Sequence, residues 1–242
     1  MLAGAGAEAQ GEAAKVADAM AALALALPPE ALSTDAAGVD PLKARILATL
    51  GGARKPRTAL LVIDMQNDNL RPGSSVEIPR ARDIVPAVAA RLDAARVAGL
   101  PVVYIIDQHE PDDADLDAWT THNVVGSEGA KVWPALAPKA GDLQVTKSTY
   151  SAFTGSRLDD VLDGLGVDTL VLTGCVTEVG VLATAMDALQ RGYAVEVPAD
   201  SQAGTGAQAE EVTMATLSML PPFGPARKER LASLHARLGA LR

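Results

Sequence analysis

Short apolar runs alternate with longer helical stretches from residue 58 to about residue 200. "TALLVID" at 58–64, "PVVYIID" at 101–107 and "DTLVLTG" at 168–174 are continuous apolar runs, which are typical of strands covered on both faces. The weaker runs "LQVTK" at 143–147 and "YAVEVPAD" at 193–200 add two more strands. The pattern predicts a sheet of about five or six strands.

Two of the stretches between these runs have helical periodicity. They are "AVAARLDAARVAG" at 87–99 and "VGVLATAMDALQRG" at 179–192. Strands that alternate with helices require right-handed crossovers, which place helices on both faces of a parallel sheet. The sequence therefore predicts an α/β fold with three layers, α/β/α, and a mostly parallel, Rossmann-like sheet.

The composition divides the chain into three parts. Residues 1–55 form an Ala-rich N-terminal extension, helical or flexible, and residues 56–205 form the α/β core. Residues 206–242 are expected to form helices that pack on the core or on a partner subunit. The helices predicted in the two terminal parts are 8–27, 41–50, 207–219 and 226–241.

The charge of the chain narrows the choice of partners. It carries 30 Asp and Glu against 21 Lys and Arg, for a formal net charge of -9. A field of this sign repels nucleic acid and anionic membrane surfaces. We therefore expect a small-molecule substrate, with no nucleic-acid partner and no membrane partner.

No stretch of the sequence suits a membrane span. The most apolar early run, "VADAMAALALALPPEAL" at 16–32, has about a dozen apolar residues before its first proline, and roughly 20 are needed to cross a bilayer. Glu8 and Glu12 before it do not suit a signal peptide. The single cysteine cannot form a disulfide within the chain, which is consistent with a cytoplasmic location.

Polar residues close the predicted strands. They are Asp64, Asp107, Lys147 and Cys175, and they should converge on one rim, because functional groups collect at the carboxyl ends of the strands in such sheets. Asp64 is interpreted either as an acid or base in a half-buried position or as a cap of the next turn. Lys147 is either an ammonium close to the site or a solvated strand end.

The segment between residues 107 and 122 holds a candidate metal site. Asp107 and His109 in "DQH" are two positions apart, so on an extended chain they point to the same side and can hold one cation. His122 in "WTTH" is a third candidate. This oxygen and nitrogen donor set suits Zn, Fe or Mn. The alternative is an acidic, solvated loop with incidental histidines.

The stretch "VLTGCVTEVGV" contains the only cysteine, Cys175, and a glycine five residues later, Gly180. A lone cysteine at the end of a buried strand most often acts as a small apolar residue. As a nucleophile it would need a cation such as Lys147, or a helix N-terminus, nearby to stabilise the thiolate. Gly180 falls in the first turn of a predicted helix, where glycine costs up to about 1 kcal/mol relative to alanine. The glycine indicates that another group occupies the space that a side chain at position 180 would fill.

Three motifs in order resemble those of the isochorismatase-like hydrolases, the superfamily that includes nicotinamidases, N-carbamoylsarcosine amidase and isochorismatase. The motifs are "ALLVIDMQND", "VTKSTYSAF" and "LVLTGCVTEVGVLATAMDALQRGY", and the resemblance covers about residues 58–205. It implies a catalytic aspartate, lysine and cysteine on a parallel sheet flanked by helices. Asp64 and Lys147 match the first two.

The metal candidates also match within this superfamily. "DQH" followed by "WTTHNVVGSEGA" resembles the nicotinamidase-type metal loop, which implies a divalent metal held by Asp107, His109 and His122. No organic cofactor is expected. The resemblance also implies a homo-oligomer, since the superfamily commonly forms dimers or larger assemblies.

The third catalytic position departs from the pattern. The amidase branch reads roughly T-G-x-x-T-[DE]-x-C-V where this chain reads "TGCVTEVGV", so Gly180 stands at the nucleophile position and Cys175 five residues earlier. In the family the peptide after the earlier position is typically cis and helps to build the oxyanion site, which implies that Val176 lies near the substrate. Isochorismatases resemble this chain in having glycine there, but they lack the metal loop. The predicted substrate contacts are Val176, Gly180, Tyr150 and Phe153.

Three functions are consistent with these residues. The first is a hydrolase without a covalent intermediate, which cleaves a vinyl-ether, enamine or amide-like bond. Asp64 acts as acid or base, and Lys147 stabilises negative charge. Water is the nucleophile, and it is bound to a metal if one is present. The second is a nicotinamidase-like amidase with Cys175 as nucleophile. The third is a noncatalytic member of the superfamily that binds a ligand.

Overall fold

A computed structural model of the protein describes residues 57–220. Six strands form one sheet: β1 (Thr58–Ile63), β2 (Val102–Asp107), β3 (Leu143–Lys147), β4 (Thr169–Cys175), β5 (Ala194–Glu196) and β6 (Gln202–Ala203). All the pairs are parallel, and the order is β3-β2-β1-β4-β5, with β6 beside the end of β4. The predicted parallel α/β sheet is confirmed.

Helices connect the strands. They are α1 (Asn67–Leu70), α2 (Val85–Val97), α3 (Asp115–Trp119), α4 (Leu158–Leu165), α5 (Leu182–Arg191) and α6 (Ala207–Ser218). A wide π-helical turn at Thr177–Val181 leads into α5, and short 3-10 turns lie at Pro79–Arg82, Pro134–Leu136 and Ala199–Ser201.

Both faces of the sheet are covered, and β1 shows how. Leu60 and Val62 pack on one face together with α2, whereas Leu61 and Ile63 pack on the other face with α4 and α5. None of the four is more than 1% exposed. Each buried side chain of this size stabilises the fold by about 1.5–3 kcal/mol. A strand that is covered on both faces of the sheet is therefore apolar at every position.

Two of the differences from the expected elements concern the strand at 193–200 and helix α4. The predicted strand at 193–200 is limited to β5. It ends before Pro198 because proline cannot donate a hydrogen bond to a neighbouring strand. After a 3-10 turn, the chain forms the short strand β6. Helix α4 was not among the predicted elements. It buries Leu158 and Leu162, one turn apart, and ends at Gly166 in the left-handed conformation.

The terminal parts are only partly described. The predicted helix at 207–219 is present as α6. The helices predicted at 8–27, 41–50 and 226–241 lie outside the described residues. No helix within residues 57–220 is long and apolar enough to cross a membrane.

Gly174, in β4, is expected to be a strong requirement of the fold. Its φ is +120°, and a Cβ atom there would lie 2.1 Å from the carbonyl oxygen of Ile63 on β1. We expect Gly174→Ala to reduce the free energy of unfolding by about 3 kcal/mol or more, because both the backbone and the neighbouring strand must shift. Urea denaturation followed by circular dichroism measures the change.

Gly99→Ala is the matched control. Gly99 also has a positive φ, of +67°, but no described atom lies within 4 Å of the added Cβ. It should lose only about 1 kcal/mol. Equal losses in the two variants would show that the contact between β1 and β4 is not the cause.

Candidate active site

The carboxyl ends of β1, β2 and β3 bring three charged residues together. Asp107 pairs in register with Lys147, and Ile63 pairs with Ile105, so that Asp64, the residue after Ile63, reaches the same rim. The Nζ atom of Lys147 lies 2.8 Å from Asp64 Oδ2 and 3.2 Å from Asp107 Oδ1. All three residues are buried.

This environment separates the two carboxyl groups by their pKa values. Burial raises the pKa of Asp64 to about 7, although the ammonium of Lys147 acts in the opposite direction. Burial also acts to raise the pKa of Asp107, but a hydrogen bond from His122 and the charge of Lys147 outweigh it and hold the pKa below its usual range. Burial acts to lower the pKa of Lys147, yet the two carboxylates outweigh it and raise the pKa. Asp64 is therefore suited to proton transfer near neutral pH.

The backbone of Asp64 orients its side chain. Its φ is 51°, in the left-handed region that aspartate tolerates better than most residues. Its carbonyl oxygen accepts hydrogen bonds from Asn69 Nδ2 at 2.7 Å and from the Gln66 amide at 2.8 Å. The N-cap of α1 is Gln66, and no side chain caps this helix. The interpretation of Asp64 as a helix cap is therefore not supported.

Gln66 connects the candidate site to the neighbouring loop, and the sequence reasoning missed it. Its Nε2 atom donates to the carbonyl oxygens of Asp107, at 2.7 Å, and Ala130, at 2.9 Å, while its Oε1 atom accepts from the Asp107 amide at 2.8 Å. The side chain is completely buried. A buried amide with its donors and acceptor satisfied fixes the backbone around it. The only signal in the sequence was a polar residue within three positions of the end of a buried strand.

The structure brings the three predicted metal ligands together. Asp107 Oδ2 lies 3.3 Å from His109 Nε2 and 3.4 Å from His122 Nε2, and one donor atom from each residue lies within 4.8 Å of the other two. The other carboxylate oxygen, Oδ1, faces Lys147. Asp107 therefore divides its two oxygens between the lysine and the histidines.

The outer ring nitrogens of both histidines are held by acceptors. His109 Nδ1 lies 2.9 Å from Asp113 Oδ2, and His122 Nδ1 lies 2.7 Å from the carbonyl oxygen of Thr120. Since a carbonyl oxygen only accepts, His122 carries a hydrogen on Nδ1, and loss of the hydrogen on Nε2, which faces Asp107, would free that nitrogen for a cation. This is the support that metal-binding histidines generally have, and the donor set fits a divalent cation such as Zn, Fe or Mn.

Gly180 borders Asp64 directly. A Cβ atom at Gly180 would lie 3.2 Å from Asp64 Oδ2 and 3.6 Å from the carbonyl oxygen of Tyr150. A side chain at this position would be tight against the carboxyl group. The absence of a side chain at Gly180 thus leaves room beside the aspartate.

The structure does not place the thiol of Cys175 in the cavity. Cys175 is completely buried, and its Sγ atom lies 3.3 Å from the carbonyl oxygen of Asp64 and 3.7 Å from Asn69 Nδ2. Burial, together with the charge of Asp64, raises the pKa of Cys175 to about 12. The prediction of a catalytic thiol is corrected on this geometry, because the side chain packs in the core below the rim. The peptide between Cys175 and Val176 is cis, as the resemblance implied.

A cavity of about 290 Å³ opens above this rim. Of the predicted substrate contacts, Val176, Gly180 and Tyr150 line it together with Asp64, Lys147 and the three candidate metal ligands. Trp119 was missed: its indole nitrogen donates to the hydroxyl of Tyr150 at 3.0 Å, and both half-exposed rings line the cavity. Exposed aromatic side chains that form a cavity wall are typical of ligand sites.

Phe153 was expected to contact the substrate, and this expectation is wrong. Phe153 is not among the described residues that line the cavity. Its ring lies 5.9 Å from that of Tyr193, and the guanidinium carbon of Arg191 lies 4.5 Å from its centre. The reason is that Phe153 fills the core between the sheet and helices α4 and α5, while Tyr150 three residues earlier stays at the rim.

Comparisons with known proteins agree with the fold and identify the family. A sequence profile of the isochorismatase domain matches residues 58–227, and the chain belongs to this family. It is 35% identical over 151 residues to maleamate amidohydrolase of Pseudomonas putida, covering 60% of this chain and 70% of the relative. It is 31% identical over 146 residues to a probable inactive nicotinamidase of Arabidopsis thaliana, covering 56% of this chain and 74% of the relative.

Solved structures show the same likeness. The pyrazinamidase of Pyrococcus horikoshii in complex with zinc superposes with a TM-score of 0.63 at 28% identity, covering 68% of this chain and 96% of that chain. N-carbamoylsarcosine amidase from Thermoplasma acidophilum superposes with a TM-score of 0.61 at 35% identity, covering 67% and 93%. The protein is a hydrolase of the isochorismatase-like superfamily.

The burial of Cys175 has a direct chemical consequence. With a pKa of about 12, only about one thiol in ten thousand is ionised at pH 8, and Cys175 is completely buried. We expect the native protein not to react with a thiol-specific disulfide reagent over an hour, and the protein in guanidinium chloride to release one equivalent per chain. Because Cys175 is the only cysteine, the absorbance change needs no correction for other thiols. Rapid labelling of the native protein would restore Cys175 as a candidate nucleophile.

Proposed function

We propose that this hydrolase cleaves a small molecule without forming a covalent bond to the protein. The observation that carries the proposal is that the side chain beside the open space at Gly180 is the carboxyl group of Asp64 and not a thiol. Asp64 acts as the general acid and base, and Lys147 stabilises the charge that proton transfer creates.

Asp64 is suited to hold and give a proton. Its Oδ2 atom faces Lys147, while its buried Oδ1 atom has no hydrogen-bond partner within residues 57–220. With a pKa of about 7, a substantial fraction of Asp64 is protonated at neutral pH. When the proton leaves, the ammonium of Lys147 stabilises the carboxylate that remains.

A bond that breaks after protonation fits this site best. In a vinyl ether, Asp64 gives its proton to the carbon atom distant from the oxygen, and an oxocarbenium ion forms. Water then adds to the cation and returns a proton to Asp64. The resulting hemiacetal separates into a carbonyl compound and an alcohol, so the aspartate is regenerated and one water is consumed.

An amide-like bond is the second candidate. The likeness to a maleamate amidohydrolase and to an N-carbamoylsarcosine amidase favours it. Here Asp64 would deprotonate the attacking water and protonate the leaving nitrogen. The amidase that uses Cys175 as nucleophile has no support from the geometry, because its thiol lies in the core.

A divalent metal is part of the proposal. Asp107, His109 and His122 would hold it, and the zinc-bound pyrazinamidase supports the assignment. When bound, such an ion supplies Lewis acidity and lowers the pKa of a coordinated water. The chain's own contribution is to orient the two histidines through Asp113 and Thr120. The cytoplasmic location, the homo-oligomer and the domain boundaries at residues 55 and 205 remain predictions.

The role of Asp64 is tested by Asp64→Asn. We expect turnover to fall at least about 100-fold, because the amide can neither give nor take the proton, while ligand binding persists. Asp117→Asn, an isosteric change of an exposed carboxylate in helix α3, is the matched control and should keep full activity. Purified protein is assayed against isochorismate-type vinyl ethers, nicotinamide and carbamoyl amines.

The pH profile adds a second measurement to the same test. Since burial raises the pKa of Asp64 from 3.8 to about 7, the acid form persists up to about pH 7 and is lost above it. For a vinyl ether we expect kcat/KM to fall about tenfold per pH unit above this value. A profile that is flat between pH 6 and 9, or full turnover by Asp64→Asn, would contradict the assignment.

The metal assignment is tested by His122→Ala. Equilibrium dialysis with zinc, measured by mass spectrometry of the metal, should find about one ion per chain in the native protein and at least a tenfold weaker affinity in the variant. His235→Ala, which changes the one histidine outside the described residues, is the control. Unchanged zinc affinity in His122→Ala would remove His122 from the ligand set.

A further inference from the structure

A second cavity, of about 240 Å³, lies between strand β5 and helices α5 and α6, apart from the candidate active site. We call it the apolar groove, because Ser218 is the one polar side chain among its described lining residues. The others are Leu189, Val195, Val197, Met214, Leu217 and Leu220. A lining with a single hydroxyl and no charged group offers little to orient a polar ligand, and it suits apolar side chains.

The groove borders an edge of the sheet. β5 is the last strand in the order β3-β2-β1-β4-β5, and within residues 57–220 it pairs with β4 alone. Val195 and Val197 pack on the core from this edge but are only partly buried. Proteins usually cover such an edge with a helix or a loop, because its free backbone groups and apolar side chains invite association. In the described part of the chain, β5 lacks this cover.

The chain itself continues from the groove. Leu220, the last described residue, is part of the lining, and residues 221–242 follow it. The first five of them read "PPFGP", and proline cannot continue α6 as a regular helix. The six steps from Leu220 to Ala226 span at most about 22 Å even when fully extended. The segment that begins at residue 226 therefore starts within reach of the groove.

The sequence of this segment is complementary to an apolar surface. Leucines recur at spacings of three, four and three residues, with polar and small residues between them. They are Leu231, Leu234, Leu238 and Leu241. In the helix predicted over 226–241 this spacing places all four on one face.

The charges are complementary as well. Residues 221–242 hold five Lys and Arg against one Glu, a net charge of +4, so that the rest of the chain carries -13 of the total of -9. The elements around the groove are acidic: α5, β5 and α6 contain Asp187, Glu196, Glu210 and Glu211 against Arg191 alone. Opposite charge steers a basic segment toward this side of the molecule.

We propose that residues 226–241 fold back as a helix onto their own chain, place their leucine face in the apolar groove and cover the edge at β5. The occupant is the chain's own segment and not that of a second copy, because a short connection gives the local segment a high effective concentration. This inference concerns a surface apart from the candidate active site and does not depend on the proposed function.

Cysteine cross-linking in the full chain tests the contact. The background is low, because the only native thiol, Cys175, is completely buried. Met214→Cys in the groove is combined in turn with Leu231→Cys, Leu234→Cys and Leu238→Cys. Because a disulfide requires Cα atoms within about 7 Å, at least one pair should link within one chain in about half of the molecules after mild oxidation. Non-reducing electrophoresis and mass spectrometry measure the product.

Each result of the cross-linking decides the proposal. A link within one chain supports it, provided that Met214→Cys with Ser233→Cys, whose second cysteine lies off the leucine face, links far more slowly. Disulfide-linked dimers as the main product would assign the groove to a second copy and overturn the proposal. Absence of a link in all three pairs would also overturn it.

Trypsin provides a second test, because Arg230 and Arg237 lie within the segment. We expect Leu234→Asp to speed cleavage after Arg230 at least about tenfold, since cleavage follows the population of the undocked segment. Ser233→Asp, which adds the same charge one residue away, should cleave at the native rate.

Variants of the groove give the reciprocal measurement. Met214→Asp in the lining should speed the same cleavage, whereas Val212→Asp, on α6 but 61% exposed and outside the described lining, should not. If Met214→Asp loses its helical circular dichroism, the comparison of Leu234→Asp with Ser233→Asp decides alone. Equal cleavage rates in that pair and the native protein would overturn the proposal.

Discussion

The ammonium of Lys147 between the carboxyl groups of Asp64 and Asp107 is the interaction on which the site depends. Two buried carboxylates at one rim repel each other, and only a shared cation makes their burial tolerable. The shared cation also allows them to differ. The pKa of Asp107 is held below its usual range by His122, Lys147 and Asn123, whereas burial dominates the environment of Asp64 and raises its pKa to about 7.

The positions of Cys175 and Gly180 are best understood beside this group of charges. Cys175 ends β4 under the carbonyl of Asp64, so its sulfur is part of the support that fixes the aspartate backbone. Gly180 lies beside the Asp64 side chain, where an added Cβ atom would contact the carboxyl group of Asp64. The proposed function without a covalent intermediate rests on this arrangement, in which the carboxyl group of Asp64 borders the space beside Gly180.

Much of the fold and part of the site could be predicted, for identifiable reasons. The strands were readable because β1, β2 and β4 are covered on both faces and so are apolar at every position. Asp64, Asp107 and Lys147 were readable because strand ends in a parallel sheet meet at one rim. The role of Gln66 was not readable, because its partners lie 41 and 64 residues away. Tyr150 and Phe153 are three residues apart, and only packing separates rim from core.

The sequence by itself determined the class of fold, the order of the motifs, the acidic charge and the presence of two acids, one amine and one thiol near strand ends. These properties depend on local periodicity and on residue identity. The tertiary structure decided which of them face the cavity: the thiol of Cys175 turns into the core, while Asp64 turns toward the space beside Gly180. The physical reason is that a side chain's solvent access, and with it its pKa, is set by neighbours that are distant in the chain.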